Sequence, residues 1–231
     1  MTDPAGTPPW LSRLAAVHTV RDDASNPVIA RHAPDGATGR PAAVLVLFGG
    51  RPDAAELPTD ATVLLTQRAS SLRQHRGQVA FPGGAADPGD DGPVGTALRE
   101  AQEETGVDPD GVEPLTVLDS IFVPPSGFEV TPVIAYWRVP SEVSVVDTAE
   151  TERVVAVPLT DLLDPVNRFV VRHPLGYRGP AFAVGGMLVW GFTAGVLSGV
   201  LETAGWGAPW DTEDVRDLET SLAAVGEELH P

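Results

Sequence analysis

Between residues 42 and 159 the chain is cut by Pro, Gly and Asp into short β-branched runs, and only one segment among them has helical periodicity. The runs AAVLVLF (42–48), ATVLLTQR (61–68), QVAFPG (78–83), LTVLDSIFV (115–123), EVTPVIAYWRV (129–139) and RVVAVPL (153–159) read as strands. TALREAQEETG (96–106) sets Ala and Leu on one face and charges on the other, then stops at Gly, so it reads as a helix. Further helices are expected over about 187–201 and, acidic in character, about 213–229. Many strands with few helices predict an α+β fold, with helices laid on a sheet. A Pro-, Asp- and Gly-rich stretch (25–40) separates a short amphipathic segment, Trp10, Leu11, Leu14 and Ala15, from the first strand. Residues 1–40 therefore read as an N-terminal appendage and linker, 41–204 as the domain, and 205–231 as an acidic, helical C-terminal extension.

Charge and residue types remove several function classes. Fifteen Lys+Arg against 32 Asp+Glu give a net charge of −17, a poor background for non-specific binding to nucleic acid. Without cysteine there is no disulfide, thiol nucleophile or thiolate metal site, so a metal must sit on oxygen or imidazole. All the basic residues are Arg, which excludes Schiff-base chemistry and a phosphate-loop lysine and leaves planar, bidentate cation chemistry. The N-terminal residues show no secretory signal, and the expected compartment is the cytoplasm. One 21-residue run, 181–201, has no charge and carries Gly191, Gly195 and Gly199 at the spacing of packed membrane helices. A buried strand or turn around Gly185-Gly186, followed by a short core helix, is the preferred reading. Adjacent glycines weaken a continuous helix, and no basic flank marks a membrane side.

The chemistry concentrates in the 96–106 helix. Glu100, Glu103 and Glu104 stand at i, i+3 and i+4, so three carboxylates share one helix face. Like charges this close repel, and a hard divalent cation that keeps waters for a phosphate substrate would relieve them. Arg99 precedes Glu103 by four residues and can hold one carboxylate. Upstream, Phe81-Pro82-Gly83-Gly84 leads into an Asp-rich loop that can bring Asp87, Asp90 or Asp91 to the helix. Arg68, Arg73, His75 and Arg76 gather potential cations in nine positions and supply a local positive field.

Residues 84–107 resemble the Nudix box, G-x5-E-x7-R-E-U-x-E-E-x-G-U. The second half, from Arg99 to Val107, matches fully. The first half departs: the fifth residue after Gly84 is followed by Asp90 rather than Glu, and eight residues, not seven, separate Asp90 from Arg99. The coenzyme A-hydrolysing subfamily shows a similar Asp and extra residue, and its own signature is L-L-T-x-R-[SA]-x3-R-x3-G-x3-F-P-G-G. Leu64-Leu65-Thr66-Gln67-Arg68-Ala69, Arg73, Gly77 and Phe81-Pro82-Gly83-Gly84 satisfy every fixed position. Segments 125–137, 157–165 and 189–197 resemble downstream landmarks of that subfamily, so the likeness spans about 42–201.

The resemblance implies a mixed β-sheet core flanked by helices, an α/β/α sandwich. It implies hydrolysis of the diphosphate bond of coenzyme A or acyl-coenzyme A to adenosine 3′,5′-bisphosphate and (acyl-)phosphopantetheine, with Mg²⁺ or Mn²⁺ as cofactor. By the same resemblance Glu100 and Glu104 are metal ligands, Glu103 is a ligand or supports one, Arg99 and Glu103 belong to the catalytic set, and Asp90 is the loop carboxylate. The base is a Glu of the box or a distant one, for which Glu150 and Glu152 are the candidates. Arg68 and Arg73, with Arg76, Gly83 and Gly84, are expected to contact substrate. Another nucleoside diphosphate such as NADH or ADP-ribose, or nucleotide binding without turnover, are the competing readings. The expected partner is a small coenzyme A-like nucleotide, not nucleic acid or membrane, and a homodimer is compatible with the family.

Overall fold

A computed structural model describes residues 6–19, 26, 28, 39–70, 77–124 and 126–229. In chain order its first half comprises α1 (Ser12–Ala15), β1 (Arg40–Gly49), β2 (Thr62–Arg68), β3 (Val79–Ala80), β4 (Gly83–Ala85), α2 (Gly92–Thr105) and β5 (Val112–Val117). The second half comprises β6 (Ile121–Val123), β7 (Phe128–Trp137), β8 (Thr151–Pro158), α3 (Leu159–Leu163), β9 (Arg168–Arg172), β10 (Arg178–Val184), β11 (Met187–Val189), α4 (Gly191–Ala204), β12 (Val215–Asp217) and α5 (Leu218–Ala223). The fold is α+β: a mixed eight-stranded sheet and a four-stranded sheet, flanked by helices.

β1 and β7 run parallel in register from Arg40↔Phe128 to Phe48↔Tyr136 at the centre of the large sheet. Strands covered on both faces lose the apolar/polar alternation, which is why VLVLF and VIAYW read as unbroken apolar runs. Their side chains still alternate by direction. Ala43, Leu45 and Leu47 of β1, with Val133 and Ala135 of β7, pack on Ala97 and Ala101 of α2. Val46, Phe48, Ile134 and Tyr136 point the other way, into the core built on Ala194, Leu197, Val200 and Leu201 of α4. β2 pairs antiparallel with β8 over its whole length, with a register shift at Gln67/Arg68, while β4 lies antiparallel on the start of β1.

Several expected elements change on folding. The helix expected over 187–201 begins at Gly191, because Met187–Val189 turns back at Gly185-Gly186 to pair with β10. Instead of one acidic helix over 213–229, Val215–Asp217 adds a strand parallel to β9, and Asp217 Oδ1 then caps the short α5 by accepting from Thr220 N at 3.2 Å. The run 115–123 divides into β5 and β6, since Leu118 N donates to Pro132 O and Asp119 N to His18 O across the break. The N-terminal segment expected as an appendage buries Trp10, Leu11 and Leu14 in the main core, where Trp10 lies 5.5 Å from Trp206 and 6.5 Å from Phe48 between ring centroids. Gly195 is used for close packing: a Cβ there would stand 2.5 Å from Val28 Cβ, and Asn26 Nδ2 donates to its carbonyl at 2.8 Å. Among the described residues no helix is long and apolar enough to cross a membrane.

Candidate active site

Helix α2 starts one turn earlier than its periodicity predicts, at Gly92, because Pro93 fits a first turn whose N–H groups have no intrahelical partner. It ends at Gly106, whose φ of 73° lets its N–H return to Gln102 O at 2.9 Å. β4 is wedged between this helix and β1, and its glycines make the wedge possible. A Cβ on Gly83 would stand 2.6 Å from Val44 Cα, and one on Gly84 would enter the carboxylate of Glu100. The Gly83 N–H is spent on the protein itself, donating to Glu104 Oε2 at 3.2 Å.

Arg99 is the hub of the loop. Its Nε donates to Asp90 Oδ1 at 2.9 Å, Nη1 to Glu100 Oε1 at 2.9 Å and to Glu103 Oε2 at 3.1 Å, and Nη2 to Ala85 O at 3.0 Å. Asp90 also accepts from Thr96 Oγ1 at 2.8 Å and Asp87 N at 2.9 Å. These bonds, the one from Arg99 foremost, hold the Asp90 carboxyl well below the usual range. Asp90 is thereby the group that orients Arg99, and Thr96 and the Asp87 amide are supports that no motif marked. Asp91 sits at the helix N-cap without a capping bond.

The three glutamates differ. Glu103 is 59% exposed and turned to Arg99. Burial raises Glu100 despite its bond to Arg99, with the charges of Glu103 and Asp87 adding to the rise. Burial pushes Glu104 up to about 7 against the pull of the Gly83 amide and Arg68, and Glu100 and Glu150 raise it further. Two desolvated carboxylates on one helix face, Glu100 paired with Arg99 and Glu104 held by the Gly83 amide, are a donor set that a hard cation fits. Among the described residues no three acidic or imidazole groups converge as a metal cage; a cation here would rest on Glu100 and Glu104, the two desolvated carboxylates of the helix.

Arg68 ends β2 with its Nε buried and unpartnered among the described residues. Arg73 and Arg76, with His75, lie outside the described residues. The register Arg68↔Thr151 brings the start of β8 beside Arg68, and Ala69 N donates to Glu150 O at 2.8 Å. The Glu150 side chain is exposed and acts on Glu104 through its charge, whereas Glu152 is occupied, its Oε2 accepting from Ser70 N at 3.2 Å. Sequence reasoning missed Gln67, which bonds Glu227 across 160 positions of chain. No local pattern reports a contact of that span.

A glutamate helix laid over a glycine strand that pairs with the start of β1 thus gathers Arg99, Glu100 and Glu104 at one end of the central strands. The chain belongs to the NUDIX family, whose domain it matches over residues 38–174. Members generally work with divalent metal ions. The chain is 40% identical over 146 residues to the Nudix hydrolase NudL of Citrobacter koseri, itself uncharacterized, covering 58% of this chain and 71% of that protein. It is 39% identical over 169 residues to NudL of Cronobacter sakazakii, covering 68% and 79%. Among solved structures, the Ap4A hydrolase of C. elegans aligns at 23% identity and a TM-score of 0.41, over 53% of this chain and 83% of that one.

Proposed function

We propose that this Nudix hydrolase cleaves the diphosphate of coenzyme A or its acyl derivatives, releasing adenosine 3′,5′-bisphosphate and (acyl-)phosphopantetheine, with Mg²⁺ or Mn²⁺ held by Glu100 and Glu104. The observation that carries the reading is Arg68, whose buried Nε has no partner among the described residues, set near the desolvated Glu104. When bound, the cation neutralises charge on the diphosphate and makes water more acidic. The protein's own groups do the rest. Glu150 is the base, since its exposed side chain makes no bond among the described residues: it takes a proton from the attacking water as the new P–O bond forms, and the leaving phosphate oxygen keeps the electron pair of the broken anhydride bond. Asp90 and Ala85 hold Arg99, which steadies Glu100 and Glu103, and Gly83 steadies Glu104. Arg68, with Arg73, grips the 3′-phosphate that distinguishes coenzyme A from most nucleoside diphosphates.

The test is a panel of coenzyme A, dephospho-coenzyme A, NADH and ADP-ribose, because Glu100 and Glu104 act on the diphosphate alone. Coenzyme A should give the highest kcat/KM. Arg68→Ala should cut that preference over dephospho-coenzyme A by about tenfold, mostly through KM. An unchanged preference in both the Arg68→Ala and Arg73→Ala variants contradicts the substrate assignment.

A further inference from the structure

The C-terminal segment returns to the end of β2 on which Arg68 is mounted. Gln67, the residue before it, is 7% exposed and has its amide bonded at both ends. Nε2 donates to Glu227 Oε1, and Oε1 accepts from Arg153 Nη1 at 3.3 Å. Arg153 Nη2 donates onward to Gly185 O at 3.2 Å, on the turn between β10 and β11. The other carboxylate oxygen of Glu227 rests on Gly77, where an added Cβ would stand 2.9 Å away and where φ is +68°. Gly77 N donates to Arg68 O at 3.1 Å and Arg68 N to Gln78 O at 3.0 Å, so Arg68 and Gly77 are the paired ends of the connection from β2 to β3.

Glu227 therefore stands at both sides of that neck, bonded by the Gln67 side chain of β2 and filling the space where a Cβ on Gly77 would lie. It is presented there firmly: its N–H donates to Leu222 O at 3.0 Å, and Leu222 is buried beside Phe169 and Val171. The carboxylate is kept there against a penalty. Burial pushes it up to about 6, the bond from Gln67 opposes the rise, Glu152 of β8 adds to it and Arg153 of β8 lowers it. An acidic tail with no duty at the neck would leave its charge in water. Gln67 also occupies the one unspecified position of the L-L-T-x-R signature, so the family pattern does not account for the contact.

We propose that Glu227 is a positioning residue for substrate, through which the C-terminal segment holds the neck that carries Arg68. This rests on the assignment of Arg68 to substrate binding. The test uses the full chain and the variants Glu227→Ala, Glu227→Gln, Gln67→Leu and the Glu227→Ala/Gln67→Leu double, with steady-state kinetics on the best substrate of the panel and amide hydrogen exchange at Arg68, Ser70, Gly77 and Gln78. Glu227→Ala and Gln67→Leu should each raise KM by about tenfold with kcat changed by less than about twofold. The double should be no worse than either single variant, because both break one bridge. Glu227→Gln keeps an acceptor for Gln67 and should keep a low KM, and exchange at the neck should rise in Glu227→Ala but not in Glu227→Gln. Additive effects, a KM unmoved in both single variants, or unchanged exchange overturn the proposal. If the wild-type protein turns over none of the panel, the proposed activity has failed separately, and the exchange result still decides whether Glu227 holds the neck.

Discussion

Replacing Glu104 by Gln leaves an acceptor for the Gly83 amide and removes a desolvated negative charge, so stability and activity should part company. Activity should fall about a hundredfold or more while Tm holds or rises, which steady-state rates and calorimetry would show. Asp90 works in the opposite sense. Its carboxyl is held low by Arg99, so the stability it lends is present above the unfolded carboxyl value and is lost as pH falls below it. Urea midpoints between about pH 6 and pH 3 should therefore decline more steeply in the wild type than in Asp90→Asn. Glu227 is raised to about 6, so the unfolded chain gives up its proton first and stability falls as pH climbs from the ordinary carboxyl range to about 6. Glu227→Gln should remove that decline and gain about 1 kcal/mol at neutral pH once its partial exposure is allowed for. The clustering of Glu100, Glu103 and Glu104 is legible because i, i+3 and i+4 spacing puts them on one face, and the Arg99–Glu103 contact because they stand four apart. The duty of Asp90 is not, since it depends on a loop closing on Arg99 with help from Thr96.

Among the elements, β4 and α2 make the sharpest contrast between neighbouring positions. Gly83 is pressed on the backbone of β1, which cannot move aside, so Gly83→Ala should destabilise by about 1–3 kcal/mol in denaturant unfolding. The atoms nearest a Cβ on Gly84 are the carboxylate of Glu100, a side-chain end rather than backbone, so Gly84→Ala should cost less stability but lower activity about tenfold by displacing that carboxylate. The β1, β2, β7 and β8 strands were legible as β-branched runs between turn residues. Boundaries were not, wherever pairing overrides periodicity: Met187–Val189 is apolar enough for helix or strand, and β10 decides it. The acidic segment after Glu213 likewise has helical composition, yet β9 offers Val215–Asp217 an edge to join.

The whole molecule closes through its ends. Trp10, Phe48 and Trp206 form one aromatic group that joins the N-terminal segment, the central strand and the chain beyond α4. Trp10→Ala should cost about 3–5 kcal/mol by calorimetry, a loss that no detachable appendage would show. This closure was invisible in sequence because the partners are far apart along the chain and lie outside the recognisable motifs. The central claim concerns what the assembled site cleaves, and mass spectrometry of the products answers it directly. Wild-type protein incubated with coenzyme A and Mg²⁺ or Mn²⁺ should yield adenosine 3′,5′-bisphosphate and phosphopantetheine, and Glu104→Gln should yield almost none. Intact coenzyme A beside a hydrolysed NADH or ADP-ribose would contradict the substrate assignment, and equal product from the Glu104→Gln variant would contradict the site itself.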